Sequence, residues 1–243
     1  MSQLEEGDRK SQAASPFLIS DPEERARREA ENGLRQFDSV IGLVQRYLAE
    51  RWRFALRMST ILGLHRDALL GVHPLAGNFR PSTVEIRGSK HVPPDAWEIP
   101  QLVEELCDYV NDNWEAATPL HLAAYTMWRL NWIHPFADGN GRTARAVSYL
   151  VLCMKMGSRI PGVRTIPDLI SENKQPYYDA LEAADDQWEA EHRIDLTSLE
   201  ELMGNSIAAQ LVSAVEQASG RSLEPTGLGG NTVDSGSPLR AQL

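Results

Sequence analysis

Cysteine is almost missing from this 243-residue chain: there are two, Cys107 and Cys153, with no Cys-x-x-Cys pair and no Cys/His cluster. That excludes a disulfide framework and a zinc site. Both cysteines fall in helical apolar patterns and read as buried thiols of a reducing compartment. Positive charge is short as well. Lys and Arg number 24 against 34 Asp and Glu, a net charge of −10, which argues against a broad nucleic-acid surface. Aromatic residues make up only 7% and do not interleave with basic ones in the manner of an RNA-stacking surface. No apolar run is long enough to span a bilayer; the longest, residues 144–156, is interrupted by Arg145, Ser148 and Lys155. Residues 1–10 lack the apolar stretch of a secretory signal. These absences lead us to expect a cytoplasmic protein with neither a membrane nor a nucleic acid as partner.

What remains is helical. Apolar residues recur at helical spacing from Glu31 to Met58 (Leu34, Phe37, Val40, Ile41, Val44, Leu48), and Ser20 with Glu23 and Pro22 makes a good helix start just before. The same spacing returns over residues 100–110 and 196–218, and over 118–133, where Thr118 caps and Pro119 opens the helix. A further helix near residues 140–156, apolar on nearly every side, reads as the buried centre, with Gly157 as its stop. Val84 and Ile86 alternate with polar neighbours and Gly88-Ser89 can turn, which predicts one small β-hairpin. The expected fold is thus all-α with that hairpin. Residues 19–218 read as one domain, with a core over about 60–200. Residues 1–18 and 219–243 read as disordered tails, because their composition buries too little to fold.

Chemistry concentrates in residues 134–145, His-Pro-Phe-Ala-Asp-Gly-Asn-Gly-Arg-Thr-Ala-Arg. The first turn of the helix that starts near Asn140 or Gly141 has unpaired amides and partial positive charge, so a phosphate placed there is stabilised. Gly139 and Gly141 let a bare backbone approach phosphate oxygens. Arg142 and Arg145, three apart, reach the same anion as planar forks. Asp138 beside them would repel phosphate unless a divalent cation intervened, and magnesium is held by one or two carboxylates plus phosphates. Pro135 disfavours helical geometry at His134, so the preceding helix stops there and turns an imidazole toward the loop. That imidazole suits a general base. Together these residues predict in-line attack of a hydroxyl on a nucleotide phosphate. Each piece alone has a plainer reading as a cap or turn, but the whole set occurs by chance roughly once in 10¹⁰ windows at average residue frequencies.

At these residues the chain resembles the Fic family, whose signature H-P-F-x-D/E-G-N-G-R-x-x-R is filled at every position. The similarity extends over residues 25–200. It implies transfer of AMP from ATP to a Ser, Thr or Tyr hydroxyl of a target protein, with release of pyrophosphate. His134 would be the base, Asp138 would hold Mg2+, Gly139, Asn140 and Gly141 would cradle phosphate, Arg142 and Arg145 would hold the β- and γ-phosphates, and Phe136 would anchor the loop. Gly141 favours AMP over phosphate as the transferred group, since Doc-like relatives have Lys there. Glu85, Ile86, Arg87 and Gly88 look like the flap on which a target protein docks by strand addition. Tyr177 and Tyr178 look like the pair that borders the nucleotide base, with Asp185 on the same helix, although two tyrosines here also read as core aromatics.

Many Fic proteins carry an inhibitory helix of pattern S/T-x-x-x-E-G/N, whose Glu pairs with the second signature Arg. Glu31-Asn32 is the matching position, which would set Glu31 on Arg145; the S/T position is filled by Arg27. The alternative is a solvated charged helix, since Glu23, Glu24, Arg25, Arg27, Arg28 and Glu29 crowd this stretch. A second, weaker candidate is the segment from Thr197 to Glu201. Partners are then ATP, a target protein at the flap and, as an admissible arrangement, a second copy in a homodimer. Removal of AMP, transfer of another phosphate-containing group, and nucleotide binding without turnover remain alternatives.

Overall fold

The computed structural model describes residues 11–12, 17–51, 53–162 and 164–220. The expected tails therefore lie mostly outside the described residues. Among those described there are eight helices: α1 (Pro22–Glu50), α2 (Met58–Leu69), α3 (Ile99–Asp112), α4 (Pro119–Ile133), α5 (Asn140–Met156), α6 (Ile166–Glu172), α7 (Gln175–Glu191) and α8 (Thr197–Ser219). The all-α class expected from periodicity is what is found.

Helix α5 is the axis of the bundle. Twelve of its seventeen residues are buried, and α4, with which it packs most extensively, is buried over all but its first turn and two further residues. The other helices wrap these two. Pro119 and Thr118 open α4 as expected, the Thr118 side chain accepting from the His121 amide at 3.0 Å. Gly157 ends α5 in the left-handed conformation, which glycine adopts without steric cost.

The ends of α1 differ from expectation. Asp21, not Ser20, is the N-cap, accepting from the Glu24 amide at 2.7 Å. The helix stops at Arg51 in the left-handed region, short of Met58. Residues 53–57 run without helix and carry Phe54 and Leu56 into the core, where the Leu56 amide donates to Asn111 at 2.7 Å. The apolar period continued past the helix because the following segment is also buried. α2 had no separate place in the sequence reading.

The flap also departs from a simple hairpin. Glu85–Ile86 forms strand β2, and its partner is β1, Ser11–Gln12, antiparallel with Ser11 opposite Ile86. Gly88 is left-handed (φ +77°) and the Ser89 amide returns to Ile86 O, so the turn forms. The leg after it is otherwise engaged: the His91 imidazole donates to Trp132 O at 2.7 Å, and Pro93 and Pro94 have no amide to donate. Two residues assigned to a structureless tail thus supply the ladder.

Candidate active site

His134 is the C-cap of α4. Its backbone is left-handed (φ 50°, ψ 56°) and its amide still donates to Leu130 O. The helix therefore ends at the expected residue, though not in the extended geometry usual before proline. The imidazole is buried (7% exposed), with Nδ1 3.3 Å from Asn131 O. A carbonyl only accepts, so Nδ1 carries the proton and Nε2 the lone pair. Burial pushes this imidazole down to about 3, with nearby Arg80 acting in the same direction and the Asn131 carbonyl opposing. The ring is therefore neutral at pH 7.

The next turn is stapled from inside. Phe136 is buried (1% exposed) and lies flat on the His65 ring, centroids 3.6 Å apart. Asn140 clamps both backbone groups of Phe136, Oδ1 accepting from its amide (2.9 Å) and Nδ2 donating to its carbonyl (2.8 Å). The Asn140 side chain thus closes the loop, and what Asn140 offers a phosphate is its backbone amide. Gly139, left-handed at φ +77°, caps α5 without any side-chain hydrogen bond to the first-turn amides. A Cβ there would lie 3.1 Å from Leu69 Cδ1. A Cβ on Gly141 would lie 3.2 Å from Arg145 Nη1, so the Arg145 guanidinium passes over the bare backbone that sequence reasoning selected for phosphate.

The two signature arginines have different partners. Arg145 donates to the Tyr177 hydroxyl, which also accepts from Asn131 Nδ2 at 2.8 Å. Tyr177 is buried (1% exposed), and burial raises its hydroxyl to about 12. Tyr177 therefore sits in the core and positions Arg145; Tyr178 beside it is half-buried. Arg142 ion-pairs with Asp138 and with Glu29 of α1, each at 3.5 Å. Glu31 goes elsewhere. It pairs with Arg28 at 3.4 Å, its side chain is 55% exposed, and no Glu31–Arg145 ion pair exists. The geometry of α1 explains the exchange. Asn32 and Gln36 are buried and hydrogen-bond to Leu70 O and Leu64 O of the α2 region. Glu29 lies three residues before Asn32, on the same face, whereas Glu31 is turned away.

Asp185 is half-buried beside α4, accepting from Trp128 Nε1 at 2.8 Å, and desolvation raises its carboxyl. It belongs to a cluster in which the Arg129 guanidinium lies 4.2 Å from the Trp132 ring and 5.2 Å from that of Trp188. Its hydrogen bond is thus to a core tryptophan.

The sequence places Arg80 only in the approach to the flap, with no role of its own, and gives His65 no place in the site. Arg80 is 2% exposed and each of its three guanidinium nitrogens donates to a carbonyl: Nε to His134 (2.8 Å), Nη1 to Ser82 (2.8 Å), Nη2 to Pro94. Its own amide donates to Pro135 O. Arg80 before β2 and His91 after it are in this way both tied to backbone carbonyls of residues 132–135, the stretch that carries His134. Burial lowers the Arg80 guanidinium from its ordinary value, yet arginine remains charged.

Among the described residues no group of three or more His, Cys, Asp or Glu side chains is arranged to hold a metal ion. Magnesium does not need one here. It binds through one or two carboxylates when phosphates and water supply the rest, and Asp138, immediately before the N-cap of α5, fits that role. No described helix is long and apolar enough to cross a membrane.

Residues 55–152 match the Fic/DOC family. The chain is 33% identical over 136 residues to a protein named protein adenylyltransferase Fic from Drosophila willistoni, covering 55% of this chain and 26% of that protein. It is 32% identical over 134 residues to the protein of the same name from Nematostella vectensis, covering 54% and 29%. The match thus spans under a third of the length of these relatives. In fold it is similar to a Fic domain containing signaling protein from Bacteroides thetaiotaomicron (TM-score 0.66, 22% identity, 85% of this chain and 78% of that one). A Fic family protein from Desulfovibrio desulfuricans superposes with TM-score 0.61 at 22% identity, over 82% and 56%. Residues 55–152, which carry the His134–Arg145 loop, therefore match the Fic/DOC family, and the bundle around them has the fold of the Fic proteins it superposes on.

Proposed function

We propose that this chain is an ATP-dependent protein adenylyltransferase, moving AMP to a hydroxyl of a target protein. The observation that carries the proposal is one juxtaposition. A neutral imidazole with its lone pair on Nε2 caps α4 six residues ahead of a glycine-capped helix start that bears two arginines. The triphosphate sits on the first amides of α5, with Arg142 and Arg145 on its outer phosphates. The acceptor oxygen attacks the α-phosphorus, the bond to the bridging oxygen breaks, pyrophosphate leaves, and the acceptor proton goes to His134 Nε2. Magnesium, held by Asp138, would neutralise charge on the outer phosphates. The nucleotide's negative charge raises His134 from its depressed value toward the range useful to a base.

The target docks as an extended segment on the edge of β2. That this edge pairs with Ser11–Gln12 supports strand addition as the mode. Glu29 restrains the site by holding Arg142; this gives α1 an inhibitory role through a different carboxylate and a different arginine from the Glu31–Arg145 pair that the sequence suggested.

Incubation with α-labelled and, separately, γ-labelled ATP tests the proposal. Label from the α-position on protein, lost in His134→Ala, is expected. Transfer of the γ-label would make the chain a kinase. Binding without transfer of either label would make it a nucleotide-binding regulator.

A further inference from the structure

His65, on α2, is almost completely buried (1% exposed), and both of its ring nitrogens are in use. The Gly77 amide, which can only donate, lies 3.0 Å from Nδ1. The Asp138 carbonyl, which can only accept, lies 3.0 Å from Nε2. The two partners fix the tautomer: the lone pair is on Nδ1 and the proton on Nε2. The same ring stacks on Phe136 with an interplanar angle of 9°. Its Cδ2 stands 3.5 Å from where a Gly139 Cβ would be. One imidazole therefore touches Phe136, Asp138 and Gly139 and joins them to the chain at Gly77.

Where it grips matters. Asp138 and Gly139 are the last residues before α5, and Gly139 caps that helix without side-chain help. Nothing else among the described hydrogen bonds holds the Asp138 carbonyl. The rotation of the 138–139 peptide sets where the first amides of α5 point and where the Asp138 carboxylate leaves the backbone.

We propose that His65 is a positioning residue of the signature loop: through its Nε2–H bond to Asp138 O it sets the direction in which α5 presents its first amides and the Asp138 carboxylate to a bound nucleotide. The inference rests on the adenylyl-transfer proposal only for what is bound; the positioning itself can be measured without catalysis. The competing account is that His65 merely fills space against Phe136, in which case phenylalanine replaces it well.

Three variants of the full chain separate the two accounts. His65→Gln places an amide nitrogen near the position of Nε2 and keeps the donor to Asp138. His65→Asn places its amide near Nδ1, within reach of Gly77 alone. His65→Phe keeps the stack and loses both bonds. The readouts are melting temperature, hydrogen exchange of the amides of residues 140–143, and affinity for a non-hydrolysable ATP analogue with magnesium. For the wild type, the nitrogen-15 imidazole spectrum is added. The spectrum is expected to show the Nε2–H tautomer. His65→Gln is expected to keep slow exchange and to stay within about threefold of wild-type affinity, whereas His65→Asn and His65→Phe lose about 10–100-fold and exchange faster. Those losses are expected even where the Phe variant melts with the wild type. Equal exchange and affinity for the Phe and Gln variants would make His65 a packing residue and overturn the proposal. So would an Nδ1–H tautomer, which decides the matter even if every variant fails to fold. A wild-type chain that binds no magnesium–nucleotide would sink the adenylyl-transfer proposal, and exchange and tautomer would still decide the role of His65.

Discussion

Glu29 and Glu31 are two residues apart on α1, and only one of them should matter to the nucleotide. The Glu29 carboxylate lies 3.5 Å from Arg142, the same separation as the Asp138 carboxylate on its other side. A unit pair at that distance is worth about 1 kcal/mol in water and about 5 kcal/mol at an effective dielectric of 20. These side chains are a quarter to a third exposed, so the low end applies, and measured pairs of this kind give about 0.5–1 kcal/mol. A triphosphate that takes Arg142 must break the pair and then sit beside a remaining carboxylate, which costs about another 1 kcal/mol. Glu29→Gln removes both costs, so affinity for magnesium–ATP should rise about 5–30-fold. Glu31→Gln breaks only a surface pair with Arg28 and should leave affinity within about twofold. Calorimetric titration of a non-hydrolysable analogue into both variants reads the difference, and raising salt from low to physiological strength should narrow it. A Glu31 variant that gains more than the Glu29 variant would refute this reasoning and return inhibition to the Glu31–Arg145 pairing.

Other outcomes follow from the same geometry. His134→Ala should retain nucleotide binding and lose transfer by about 10²–10⁴-fold, the range of a positioned general base; labelled transfer and titration on one preparation check it. Gly139→Ala should lower stability by about 1–2 kcal/mol, since its φ is +77° and a Cβ meets Leu69; denaturant midpoints read this. Burial holds His65 at about 4 and His134 at about 3, both below the ordinary 6.5. The unfolded chain therefore binds more protons, and stability present above pH 6.5 is lost as pH falls toward 4. Between pH 7 and pH 5 each imidazole should cost about 2 kcal/mol, and urea unfolding of His65→Gln should show a correspondingly shallower dependence. Removing residues 1–16 vacates the β2 edge that pairs with Ser11–Gln12. Target modification in an extract should then increase, and an unchanged yield would mean that the edge is not contested.

The parts legible in the sequence were those with local signals. Helices α4 and α5 announced themselves because Thr118 and Gly157 cap them and because α5 is apolar all round. The loop between them was legible because a histidine, an acid, two glycines and two arginines fall within twelve residues. What was hidden depends on distant contacts. Arg80 bonds to a carbonyl 54 residues away and His65 to one 73 residues away, and each sits in a segment whose own pattern gives no reason to bury a polar side chain. The carboxylate of α1 that pairs with a signature arginine was hidden differently. Six charged residues crowd the stretch 23–29, so the sequence names several carboxylates, and only the burial of Asn32 and Gln36 reveals which face of α1 looks inward. The flap strand was visible as alternation at Val84 and Ile86, but its partner, residues 11–12, lies in polar sequence that carries no strand signal.

The most direct test is a crystal structure of the chain with a non-hydrolysable ATP analogue and magnesium. The expected density has outer phosphates on the first amides of α5 and on Arg145, Glu29 parted from Arg142, metal at Asp138, and His134 Nε2 facing the α-phosphorus. Nucleotide bound elsewhere, or an α-phosphorus turned away from His134, would contradict the account.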